Sequence, residues 1–289
     1  MHLNGMVLCL DSNHLGFYKT LKKRHSRNPL TCKTLIAPWS QLTDEFYFFG
    51  YYDFVFLIAA KLGRIKQAIS EDTFAEAIVS YSLYNTPYEK EYFELLGIAE
   101  KQVVDSKEYK IEFEEVILAD MGHLKYPNSH DIFGLKCIVE SKLNLQRTGS
   151  SRIYISRSTR RRIINEANLI NMLKKFDFQI IEDQQRSVTE QVQLYKNATF
   201  IIGPHGASFS NIIWAEPGTH LFELFSPNYM PDFFLYLAQT MSMKYTAYCF
   251  FENKKEIGMN EAIFEDIYVC LPELEKCLNN ILGIKKCIS

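Results

Sequence analysis

The residues best suited to chemistry lie between Ala198 and Leu224, in ATFIIGPHGASFSNIIWAEPGTHLFEL. The apolar run Thr199–Ile202 reads as a short buried strand. It ends in Gly203-Pro204-His205-Gly206-Ala207-Ser208, a tight turn with two glycines, and Phe209 to Ala215 then reads as a two-turn helix. Strand, turn and helix start together make an anion site. The first helical N–H groups have no internal partner, and the helix dipole adds partial positive charge. Gly206 removes the Cβ that would keep a phosphate off the backbone. Neither GxGxxG nor GxxxxGK[ST] occurs, which excludes the dinucleotide fingerprint and the P-loop.

A second group follows the apolar Ile153-Tyr154-Ile155: five arginines fall between Arg152 and Arg162. Guanidinium forks at the carboxyl end of a strand suit a diphosphate, because they stay charged and bind oxygens in pairs. Arg157, first after the strand, and Arg162, opening the next helix, are the candidates. His205 in the turn could donate to a phosphate or a departing nucleotide, and Asn211 could fix the loop or reach the ligand. Glu223, flanked by apolar residues, is costly in a buried strand unless partnered; at a strand end it could hold two ribose hydroxyls. Glu166 suits the first turn of its helix, and Ser187 with Glu190 forms a capping box. Asp53, at the start of an apolar helix, reads either as a complement to the helix dipole or as a general base. A serine hydrolase using Ser208 or Ser210 with His205 is the weaker alternative, since no GxSxG elbow is present.

These groups need a scaffold. With 289 residues, 47% of them hydrophobic, the chain is long enough for two domains with real cores. A net charge of −2 argues against a general nucleic-acid footprint. Seven scattered cysteines, none at zinc-ribbon spacing, fit reduced thiols in a cytosolic protein. The first residues lack the apolar core of a signal peptide, and no run of 18 apolar residues predicts a membrane span.

Strands are expected at Met6–Leu10, Thr34–Ala37, Ala77–Ser80 and Val116–Ala119. Helices are expected at Tyr52–Ile69, Pro87–Leu96 and Ser129–Leu145, the last with Cys137 on its apolar face. The basic stretch Lys19–Arg27 reads as a solvated loop or helix end. After a polar boundary at Leu145–Ser151 the alternation is cleaner. Strands are expected at Ile153–Ile155, Phe178–Glu182, Leu221–Leu224, Tyr245–Phe251 and Tyr268–Cys270. Helices are expected at Ile163–Phe176, Val188–Asn197, Pro231–Met241 and Pro272–Leu282. Such alternation predicts open α/β sheets, with ligands outside the carboxyl ends of the strands.

The segments ISRSTRRRIINE (155–166), VTEQVQLYKNATFIIGPHGASFSNIIWAEPG (188–218) and FEL (222–224) together resemble glycosyltransferase family 61. The likeness runs from Tyr154 to about Tyr248 and is most specific in GPHGA with Asn211 and Glu223. Many members carry a histidine-aromatic pair in the corresponding early helix, where this chain reads GYYDF (50–54). The resemblance implies a GT-B-like fold: two Rossmann-like α/β/α domains facing a central cleft. Residues 1–147 would form the acceptor side and 148–289 the donor side, with the last helix free to pack back on the first domain. It also implies an inverting transfer of sugar from a nucleotide-sugar donor to a hydroxyl of a cell-surface glycan of capsule, O-antigen or lipopolysaccharide type, with no cofactor and no metal. The absence of DxD agrees with the last point. The donor set would be Arg157, Arg162, Gly203, His205, Gly206, Ala207, Asn211 and Glu223, with Asp53 and His205 as catalytic candidates. The expected setting is cytoplasmic, with a lipid-linked or free glycan as acceptor and a peripheral contact with the inner face of the membrane or with other polysaccharide enzymes. The alternative is a non-catalytic sugar-nucleotide-binding subunit of an assembly system.

Overall fold

The computed structural model describes residues 27–38, 50–119, 126–251 and 257–284. The expected strand at Met6–Leu10 and the basic stretch up to residue 26 lie outside them. The chain divides into two compact units, residues 1–145 with 187–189, and residues 146–186 with 190–289.

The first unit is built on four parallel strands, β1 (Asn28–Ala37), β2 (Ile78–Tyr81), β3 (Val103–Asp105) and β4 (Tyr109–Leu118), in the order β3-β2-β1-β4. β1 and β4 begin six or more residues before the expected apolar cores. Their early halves pair only with each other and alternate polar side chains. Polar residues of this kind suit an exposed ladder but read as loop in a sequence. Helix α1 is α-helical over Tyr51–Asp53, π-helical over Phe54–Ala59 and α-helical again over Ala60–Ala68. Phe54 to Ala60 are all buried, as an apolar helix surface requires. A short helix α2 (Glu71–Glu76) is capped by the Ser70 hydroxyl, which accepts from the Thr73 amide. Helix α3 (Pro87–Leu96) has Pro in its first turn and stops at Gly97, whose φ of 71° is left-handed. Helix α4 (Ser129–Leu143) buries Ile132, Leu135 and Val139. Cys137 falls between these positions and is exposed, not on the apolar face.

In the second unit five parallel strands run in the order β6-β5-β7-β8-β9: β5 (Ser151–Ile155), β6 (Phe178–Ile181), β7 (Ala198–Pro204), β8 (His220–Phe225) and β9 (Lys244–Cys249). Helices α5 (Glu166–Lys174), α6 (Val188–Asn197), α7 (Phe233–Thr240), α8 (Met259–Ala262) and α9 (Leu271–Leu282) accompany them, and a 3-10 helix spans Ala207–Trp214. Phe200, Ile202, Phe222 and Leu224 share a core with Leu169 and Leu173 of α5 and Leu274 and Leu278 of α9. Alternation sends Leu221, Glu223 and Phe225 to the opposite face, and they too are buried. Strands covered on both faces read as continuous apolar runs, which is why this half was legible. The closing helix thus buries Leu274 and Leu278 in the core of the second unit. The expected strand Tyr268–Cys270 is irregular instead. Its Val269 amide and carbonyl are both held by the Asn165 side chain, and Ile267 bridges Ile163. That bridge also delays α5 to Glu166.

Candidate active site

Within the second unit the strands run 2-1-3-4-5, so the winding reverses between β5 and β7. At such a switch point the following loops diverge and leave a crevice. The loops here are Ser156–Arg162 and His205–Gly206.

Arg157 Nη1 donates to the His205 carbonyl at 2.9 Å, and Arg161 Nε donates to the same oxygen at 3.0 Å. Arg161 Nη1 also reaches the Ile263 carbonyl at 2.7 Å, and its guanidinium stands 5.3 Å from the Tyr229 ring centre. Arg161 is only 5% exposed. Among the described residues neither guanidinium has a carboxylate in ion-pair contact. Burial, and then the charge of Arg160, pushes Arg157 down to about 10. Burial, followed by Arg157 and Arg160, does the same to Arg161. Both remain cations at neutral pH, and their hydrogen bonds among the described residues go to backbone oxygens.

The expected partner of Arg157 was Arg162. The structure turns Arg162 outward instead, where Nη2 pairs with Asp266 at 2.6 Å and the side chain is exposed. Arg161 adopts a left-handed φ of 56°, which sends neighbouring side chains to opposite sides. Arg161 is therefore the site residue that the sequence reading missed.

The glycine turn supplies the other half. The Gly206, Ala207 and Ser208 amides have no acceptor among the described residues, and the first 3-10 bond is Phe209 N to Gly206 O. The Arg157 guanidinium occupies the space a Gly206 side chain would fill. A Cβ on Gly203 would come within 2.8 Å of the Ile155 carbonyl. Gly203 thus serves the packing of β7 on β5 and does not face a ligand.

His205 is 4% exposed and Glu223 fully buried. Imidazole Nδ1 lies 2.5 Å from Glu223 Oε1, and Tyr245 donates its hydroxyl to Glu223 Oε2 at 2.7 Å. Burial pulls the imidazole below its usual range, Glu223 pulls it up, and Arg161 and Arg157 oppose Glu223. The contact with the carboxylate assigns a proton to Nδ1, and Nε2 has no partner among the described residues. The ring lies among Phe225, Tyr229, Phe233 and Phe234. Glu223, expected at the ribose, is fully buried on a covered face of the sheet, where its carboxylate meets His205 and Tyr245.

The remaining polar groups brace the loops. Tyr154 and Ser156 donate their hydroxyls to Glu166 Oε1, both at 2.7 Å. Ser158 donates its amide and hydroxyl to Asp183. Asn211 donates to Gln191 and to the Ser208 carbonyl and accepts from Trp214 Nε1. Of its two expected roles, Asn211 thus fills that of fixing the loop. Ser210 is fully buried and its hydroxyl meets no partner among the described residues. That leaves the hydrolase alternative without a nucleophile–base pair there.

Asp53 belongs to the first unit. Its Oδ2 accepts the Gly50 amide at 3.2 Å, closing the start of α1. Burial pushes its carboxyl up to about 6 against that hydrogen bond. The tyrosines Tyr84 and Tyr88 both feel its charge. A π-helical turn follows directly, a feature common at functional sites. Glu89, unmarked in the sequence, is buried nearby in the chain and accepts from Tyr81 and from the Tyr84 and Asn85 amides.

The family model described as Glycosyltransferase 61 matches residues 24–222, more than half of the chain. The chain belongs to glycosyltransferase family 61. The match to the family reaches back across the first unit, where the motifs alone were sparse, and stops at Phe222, just before Glu223. No curated protein matches the chain. Among the described residues of this family 61 member, no three His, Cys, Asp or Glu side chains gather to hold a metal ion. No helix among them is long and apolar enough to cross a membrane.

Proposed function

We propose that this family 61 glycosyltransferase uses the β5/β7 crevice to hold the diphosphate of a nucleotide-sugar donor. One observation carries the reading: a buried and a partly buried guanidinium group, without carboxylate contacts among the described residues, face a turn whose three amides have no acceptor there. Such a pairing of fixed cations and N–H donors is the complement of a pyrophosphate. Arg157, Arg161 and the amides of Gly206, Ala207 and Ser208 are the binding groups. His205 holds the arginines through its carbonyl.

The reaction is a single displacement with inversion at the anomeric carbon, needing no metal. The acceptor hydroxyl oxygen bonds to that carbon, the bond to the phosphate oxygen breaks, and the nucleoside diphosphate leaves. The hydroxyl proton passes to Asp53, with His205 as the second candidate. Charge developing on the leaving diphosphate is met by groups already in place, and loss of one such contact costs roughly 2.7–4 kcal/mol. The two units adopt a GT-B arrangement. The acceptor is a cell-surface glycan, free or lipid-linked, met in the cytoplasm at the inner face of the membrane.

The test is thermal unfolding with a panel of nucleoside diphosphates, followed by NMR of the product anomer. A bound diphosphate at 100 times its dissociation constant adds about 2.7 kcal/mol of stability. A panel without effect, or an Arg157→Ala variant that is stabilised as much as the wild type, would overturn the reading.

A further inference from the structure

A polar chain crosses the carboxyl edge of the second sheet. It starts on β9, where the Tyr245 hydroxyl donates to Glu223 Oε2 at 2.7 Å. It continues on β8, where Glu223 Oε1 meets His205 Nδ1 at 2.5 Å. It ends beyond β5, where Arg157 and Arg161 share the His205 carbonyl at 2.9 and 3.0 Å. Glu223 is fully buried and His205 nearly so, so water does not replace these bonds. A carboxylate in such a place is retained only if its oxygens are satisfied, and Tyr245 satisfies the one that His205 does not.

We propose that Tyr245 is a positioning residue for the diphosphate site, acting through Glu223 to hold the His205 ring, and with it the carbonyl that aims both guanidinium groups. The inference rests on the diphosphate reading above. It assigns a role to a residue two strands away from the crevice, on an element that contributes no binding group.

The chain also sets a charge balance with a measurable sign. The groups facing His205 are Glu223 from β8, with Tyr245 of β9 behind it, and Arg157 and Arg161 from the loop after β5. From the segment after β8 comes the Tyr229 ring, 5.4 Å away; α7 contributes only Phe233 and Phe234. An anion bound at the arginines offsets their field and favours a protonated imidazole, so affinity should rise as pH falls through the His205 titration. Tyr245→Phe leaves Glu223 with one donor fewer and a stronger pull on the imidazole proton. Glu223→Gln keeps the shape and removes the charge. The two variants should therefore move the titration in opposite directions.

The experiment is calorimetric titration of the full chain with inorganic pyrophosphate across pH 5 to 8, for wild type, Tyr245→Phe and Glu223→Gln, with thermal unfolding of each. The ionisation of pyrophosphate is common to all three and cancels in the comparison. Expected are roughly tenfold weaker binding by Tyr245→Phe, the loss of about one good hydrogen bond, with its pH profile displaced upward and that of Glu223→Gln downward. Equal affinity and an unmoved profile in Tyr245→Phe would overturn the inference alone, whatever Glu223→Gln does. Displacement of both profiles in one direction would reduce the chain to a packing feature and overturn it as well. Failure of the wild type to bind pyrophosphate would remove the diphosphate reading, and this inference with it.

Discussion

The guanidinium of Arg157 lies in the space that a side chain on Gly206 would occupy. Gly206 has an extended backbone, φ −179°, which any residue can adopt. Glycine is therefore required at 206 for room and not for conformation. Gly206→Ala should leave the fold intact and displace Arg157. Its loss of diphosphate affinity should match that of Arg157→Ala, and the double variant should be no worse than either single one. A double-mutant cycle measures this directly, since residues in contact depart from additivity by 0.5–3 kcal/mol. Additive losses would show that the two residues act separately.

Arg161 and Arg162 are neighbours in sequence with opposite fates. Arg161→Ala should weaken nucleoside diphosphate binding, because it removes a buried cation from the crevice. Arg162→Ala breaks only its exposed pair with Asp266 and should leave affinity unchanged. Titration calorimetry on both variants separates them, and a larger effect at Arg162 would contradict the geometry.

Asp53 offers a test that links stability to activity. Its carboxyl is raised to about 6 by burial, above the ordinary value near 3.9. A raised carboxylate binds more protons folded than unfolded between those values, so its contribution to stability falls as pH rises through that interval. Asp53→Asn should accordingly unfold at higher temperature than the wild type at pH 8, with little difference at pH 4. The same variant should lose transfer activity if Asp53 is the base, and the wild-type rate should rise as pH passes 6. Full activity in Asp53→Asn would pass the role of base to His205.

In the first unit Asp131 is fully buried and accepts from Lys61 and Arg64, and Lys61 is itself 3% exposed. Removing Asp131 takes a buried carboxylate away from the buried Lys61 ammonium. Asp131→Ala should cost roughly 3–5 kcal/mol in urea unfolding, and Lys61→Met combined with Asp131→Leu should recover much of it. A single-variant loss no larger than that of an exposed pair, about 1 kcal/mol, would show that water reaches the site.

Much of the frame could be read from residue types. Helix α3 was legible at both ends because Pro87 and Gly97 mark its start and stop by backbone chemistry. Strands β7 and β8 were legible because a fully covered sheet produces unbroken apolar runs. The first halves of β1 and β4 were not, since their polar residues fit an exposed ladder and a loop equally. The site was legible in outline, as arginines after one strand and glycines after another. Its wiring was not. The choice between Arg161 and Arg162 depends on one backbone angle. The place of Glu223 behind His205 depends on which face of β8 the odd-numbered residues take. Tyr245 carried no mark at all, because only strand order brings β9 beside β8.

The left-handed step at Arg161 has a consequence for any attempt to redesign this loop. Three consecutive arginines, interchangeable in a composition table, meet three environments: Arg160 an aromatic ring, Arg161 two main-chain oxygens, Arg162 an acid. A lysine at any one of them keeps the count of positive charges and tests shape alone. A single-residue insertion or deletion nearby would permute all three assignments at once, so the spacing of this segment is under tighter constraint than its chemistry.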